Sequence, residues 1–101
     1  MAESKSKVLR QLIEGPELFT LAYGANALHA RIAEQLGYKA FGLSGGWSTA
    51  YMLGRPDASY ISLQELAMLA RYCVLATDYP VLSDVDQGFG NAVTTHHTIQ
   101  V

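Results

Sequence analysis

Two aspartates stand one residue apart in SDVDQGFGNA, residues 83–92, at the end of an apolar run. Side chains on an extended strand alternate between faces, so a strand that continues through this stretch turns Asp84 and Asp86 the same way and Val85 the other. Two like charges this close push one pKa up and cost stability unless a cation neutralises them. With oxygen donors only, and neither imidazole nor thiolate in the stretch, the pair suits a hard divalent ion. Magnesium commonly sits on one or two carboxylates, with water and substrate at its other positions. The same residues can also cap a following helix and hold a turn, and spacing alone leaves both readings open.

Other stretches carry weaker chemistry. Ser44, Gly45 and Gly46 follow a strand and offer backbone amides without side-chain bulk, which suits a carboxylate or phosphoryl group, although SGG is also an ordinary turn. GFGN lacks the third glycine of a dinucleotide fingerprint and the lysine of a phosphate loop, so nucleotide binding has no support. Asp57 follows a proline in LGRPD, where stabilising a turn is the simpler role. His29 reads as a helix-surface or half-buried residue. His96 and His97 are adjacent, so on a helix they diverge by about 100° and cannot clamp one metal as an i, i+4 pair could. Cys73 falls on an apolar stripe where a buried thiol is the normal occupant, and Trp47 is either a platform over the site or a loop residue packed on the core.

The elements that must position these groups follow from periodicity. Val8, Leu9, Leu12 and Ile13 recur at helical spacing up to Gly15 and Pro16, predicting a first amphipathic helix that covers part of the protein. FTLAY, residues 19–23, reads as a strand. Asn26 then caps a helix with a Leu28, Ile32 and Leu36 stripe that Gly37 ends. KAFGLS, residues 39–44, is a second strand, and Gly54, Pro56 and Asp57 predict a long irregular loop from Trp47 to Tyr60. Ser62 and Glu65 form a capping box for the clearest helix, whose apolar face is Leu63, Leu66, Ala67, Ala70, Cys73 and Val74. PVLSD from Pro80 is a third strand, and Asn91 is placed to cap a last helix. Strand–helix units with nearly continuous apolar strands predict a parallel sheet and an α/β fold, whose loops at the carboxyl ends of the strands gather the polar clusters.

Composition bounds the function. A chain of 101 residues, half of them hydrophobic, builds one small domain with a packed core. A net charge of −2 with scattered lysines and arginines argues against nucleic acid as a partner. The lone cysteine, Cys73, cannot form an internal disulfide, which fits the cytoplasm, and neither a signal peptide nor a bilayer-spanning run is visible.

The stretch GANALHARIAEQLGYKAFGLSGGWSTAYMLGRPDASYISLQEL, followed by PVLSDVDQGFGNA, resembles the amino-terminal part of the isocitrate lyase and phosphoenolpyruvate mutase superfamily, closest to its 2-methylisocitrate lyase and phosphonate-processing branch. The pieces stand in the family's order and spacing, and the likeness runs from about Val8 to the end. The resemblance implies the amino-terminal portion of a (β/α)8 TIM barrel, here a leading helix plus about three β/α units over residues 1–101. It implies a magnesium-dependent lyase or mutase that forms or breaks a C–C or C–P bond of a small carboxylate or phosphonate through an enolpyruvate-type intermediate, in a homo-oligomer. By position, Asp84 would bind the metal directly and Asp86 through water; Ser44, Gly45 and Gly46 would hold the substrate; and Asp57 would be catalytic.

Two features depart from the family. Gly42 stands where an aromatic residue is frequent, two positions before Ser44. The later strands, with further acidic groups and the K-R-C-G-H loop of the lyases, are absent; a whole barrel takes roughly 200 to 250 residues. The sequence is therefore read as part of such an enzyme, the alternative being a truncated, non-catalytic partial barrel that serves as a binding or assembly partner.

Overall fold

The computed structural model describes residues 4–56, 58, 60–85, 88–91, 93 and 99. In chain order they form α1 (Lys5–Glu14), β1 (Ala22–Gly24), α2 (Ala27–Gln35), β2 (Phe41–Leu43), α3 (Gly45–Leu53), α4 (Leu63–Ala76) and β3 (Val81–Ser83). The strands form one parallel sheet in the order β1-β2-β3, with Phe41 opposite both Ala22 and Val81.

The sheet's pleat sets the core. Phe41 and Leu43 turn to the face covered by α2 and α4, where both are fully buried with Ala30, Ala33, Leu66 and Cys73. Ala22 and Val81 pack on the same cluster. Alternation then sends Tyr23, Gly42 and Leu82, one row across the strands, to the opposite face.

Helix ends follow the signals in the sequence. Asn26 Oδ1 accepts from the His29 amide at 3.0 Å to start α2, and Gly37, at φ +95°, turns the chain away beyond its end. The Ser62 hydroxyl accepts from the Glu65 amide while the Glu65 carboxylate accepts from the Ser62 amide, and these bonds hold that carboxyl below its ordinary pKa.

Three expectations are corrected. The segment from Trp47 to Tyr60 is not one long loop: its first part belongs to α3, capped by Ser44 and closed by Gly54 at φ +64°. The glycine that suggested a loop is that helix's stop signal. β1 begins at Ala22 rather than Phe19, because the positions beside Thr20 and Leu21 would be Lys39 and Ala40, where the chain is still leaving α2. The first helix buries none of its residues; its Lys5 ammonium donates to the Val74 and Thr77 carbonyls at 2.7 and 2.5 Å, at the open end of α4. The last helix expected after Asn91 lies mostly outside the described residues, although Asn91 Oδ1 accepts from the Val93 amide at 3.1 Å. Among the described residues no helix is long and apolar enough to cross a membrane.

The approach to β3 is pinned to α2 twice. The Asp78 amide donates to Glu34 Oε2 at 2.8 Å, and the buried Tyr79 hydroxyl donates to the Ala30 carbonyl at 2.6 Å. Burial, then the charges of Glu34 and Cys73, push the Tyr79 pKa up to about 12 from 10. Tyr79→Phe is expected to lower unfolding stability by about 1 kcal/mol, read by urea denaturation. Because the folded pKa is raised, Tyr79's stabilisation is complete below about pH 10 and is lost as the pH climbs toward 12; the gap between wild type and Tyr79→Phe should shrink across that window.

Candidate active site

At the carboxyl ends of β2 and β3 the hydrogen-bond ladder runs one residue beyond each strand. The Ser44 amide donates to the Gly24 carbonyl at 2.9 Å and the Asp84 amide to the Leu43 carbonyl at 3.1 Å. Extended in register, Ser44 and Asp84 become neighbours on the face that carries Gly42 and Leu82. Asp84 is exposed, and the Ser83 hydroxyl donates to its carbonyl at 3.2 Å.

Ser44 is also the N-cap of α3, its hydroxyl oxygen accepting from the Trp47 amide at 3.2 Å. Ser48 then takes the first helical bond, to the Ser44 carbonyl. The amides of Gly45 and Gly46, in the first turn, have no acceptor within the helix by its geometry. The Ser44–Gly46 stretch is thus the positive end of a helix as well as a turn after a strand.

A second set of bonds fixes this helix end to β1. The Ser48 hydroxyl, fully buried, donates to the Ala25 carbonyl at 3.1 Å, and the Ala25 amide donates to His29 Nδ1 at 3.0 Å. An accepting Nδ1 leaves the ring proton on Nε2. The close fit explains Gly24, where a Cβ would fall 2.7 Å from that of His29. The His29 ring meets Tyr51 edge-on at 5.3 Å, and Trp47 meets Tyr51 likewise at 6.5 Å. A cavity of about 160 Å³ lies between them, lined by Tyr23, Gly24, Ala25, His29, Trp47 and Tyr51.

Of the residues proposed from sequence, Ser44, Gly45 and Gly46 come together at the α3 N-terminus and Asp84 lies on the adjoining strand end; Asp57 and Asp86 lie outside the described residues. No group of three or more metal-binding side chains is found among the described residues. Cys73 is buried in the core, which pushes its thiol pKa up. His29 is half-buried, as expected, but its place beside the α3 N-terminus was not legible. The signal for Tyr51 was its i, i+4 spacing from Trp47, which has meaning only once the segment is a helix. GFGN serves the loop after β3: Gly88, Phe89 and Gly90 all have positive φ, and Phe89 packs against the core.

Residues 9–100 match the phosphoenolpyruvate phosphomutase family. The chain belongs to that family. It is 40% identical over 92 residues to the oxaloacetate decarboxylase of Paraburkholderia xenovorans (strain LB400), covering 90% of this chain and 30% of the relative. It is 37% identical over 98 residues to the 2-methylisocitrate lyase of Aeropyrum pernix, covering 97% and 32%. Among solved structures, phosphonopyruvate hydrolase in complex with oxalate and Mg²⁺ superposes with a TM-score of 0.83 at 32% identity, over 94% of this chain and 33% of that one. The chain thus spans about a third of these family members, and its parallel strand–helix fold is an amino-terminal piece of the TIM-barrel architecture.

Ser44 joins the two halves of this geometry, and its cap has a measurable share. Ser44→Ala should lower stability by about 1 kcal/mol, whereas Ser44→Gly should lower it by only a few tenths, both read by urea denaturation.

Proposed function

We propose that this chain carries the substrate-holding and metal-holding amino-terminal part of a magnesium-dependent lyase or mutase that acts on a C–C or C–P bond of a small carboxylic acid. The observation that carries this reading is the ladder beyond the strands, which sets Ser44 and the α3 N-terminus beside Asp84 on one face of the sheet.

Each group has a role suited to its chemistry. Ser44 Oγ accepts from the Trp47 amide, so its own proton is left to donate outward to a substrate carboxylate or phosphonate. The Gly45 and Gly46 amides and the helix dipole favour the same negative charge. Bonds from Ser48 and Ser44 to the end of β1 hold these donors before a ligand arrives, so little reorganisation is needed on binding.

The described donors suit a magnesium site: Asp84 gives one exposed carboxylate on a fixed backbone, and such an ion takes one or two carboxylates with water and substrate. In this reading Asp84 binds the ion directly, Asp86 binds it through water, and Asp57 acts at the reacting atoms. A bound magnesium ion supplies positive charge for a substrate oxygen that becomes negative as the bond breaks. The phosphonopyruvate hydrolase complex with oxalate and Mg²⁺ supports the pairing of this ion with a small dicarboxylate.

Calorimetry tests the reading. Mg²⁺ and oxalate should each bind more tightly in the other's presence. Asp84→Ala should weaken Mg²⁺ by at least about 100-fold without unfolding the chain, since even outer partners of a metal site cost roughly 10- to 100-fold. Unchanged Mg²⁺ binding in Asp84→Ala would overturn the assignment.

A further inference from the structure

We propose that Tyr23 is the substrate-facing wall of this site, supplied by β1 in place of a side chain at position 42, and that it limits the size of acid the site accepts. The inference rests on the reading of Ser44–Gly46 as the substrate-anchoring end.

The geometry starts at Gly42. Tyr23 is its register partner, and a Cβ built on Gly42 would collide with Cε1 of the Tyr23 ring and fall 2.6 Å from Cδ1 and 2.7 Å from Cζ. The ring therefore lies across the β2 backbone, in the space a residue-42 side chain would occupy. Gly42 and Ser44 turn to the same face of the sheet, so this ring is the side-chain surface one step before the Ser44 hydroxyl and the α3 amides.

Gly42 is buried beneath the ring, so one side of the ring seals the β2 backbone. Tyr23 also lines the cavity shared with Trp47, Tyr51 and His29. A small acid anchored by its carboxylate at Ser44–Gly46 would lay its remaining atoms toward this ring, which favours flat or short acids and rejects branched ones by contact.

The glycine and the tyrosine form one device, since neither a larger residue 42 nor a smaller residue 23 preserves the fit. Moving the ring between strands is the direct test. Oxalate and dimethylmalonate, one flat and one branched, are titrated calorimetrically with Mg²⁺ present into wild type, Tyr23→Ala and the double variant Tyr23→Ala with Gly42→Tyr. Circular dichroism confirms folding. Tyr23→Ala is expected to shift the ratio of affinities toward dimethylmalonate by roughly ten-fold, the scale of one or two methyl groups in a pocket. The double variant should return the ratio toward the wild-type value.

A merely structural role would weaken both ligands equally and leave the ratio unmoved, and that result in a folded Tyr23→Ala overturns the proposal. Should Tyr23→Ala not fold, Tyr23→Leu, which still covers Gly42 with a shorter side chain, takes its place: a shifted ratio supports the proposal and an unmoved one overturns it. Failure of the wild type to bind oxalate removes the underlying reading of the site, and this inference with it; binding by the wild type with an unchanged ratio in the variants removes the inference alone.

Discussion

The pleat of β2 governs both the core and the candidate site. Phe41 and Leu43 are shielded completely from water by α2 and α4, and burying two large apolar side chains contributes roughly 2 kcal/mol each. The alternation that places them there turns Gly42 and Ser44 to the other face. A one-residue slip would drive Phe41 and Leu43 out of the core and take Ser44 off the mouth of the sheet. The register that stabilises the domain is therefore the register that aims its polar end.

What gathers at that end has two signs of charge. The first turn of α3 carries the equivalent of about half a positive charge on its free amides, and Asp84 brings a carboxylate on the neighbouring strand end. Neither is presented by a freely rotating segment. Ser44 belongs to the β2 ladder and to the helix at once, Asp84 is held by its own amide, and Ser48 and Ser44 clamp the α3 entry to the β1 end. The residues at the α3 entry therefore have few adjustable torsions, and their donors are placed in advance.

The sequence disclosed those parts of this arrangement that rest on local chemistry. Asn26 and Ser62 announce their helices because a capping side chain acts within three residues, and the three apolar runs announce strands of a buried parallel sheet. The family pattern named Ser44–Gly46 and Asp84 together with Asp57 and Asp86, and the sheet register sets Ser44 and Asp84 side by side. The helix after Ser44 stayed hidden because two glycines open it, with poor helix propensity, and its stop signal resembles a loop. The seating of Tyr23 on Gly42, the His29–Ala25 bond and the Tyr79–Ala30 bond depend on pairing between distant segments, which no local pattern records.

The central place of β2 also orders the entropy of assembly. Phe41 pairs with Ala22, nineteen residues back, and with Val81, forty residues on. Closing the shorter connection costs less conformational entropy by about 0.7 kcal/mol. The β1–α2–β2 unit with its Ser44 anchor is thus the easier half to form, whereas Asp84 reaches the mouth only once the long crossover through α3 and α4 has closed. The end that carries Ser44 can be built from local topology; the end that carries Asp84 is conditional on the whole sheet.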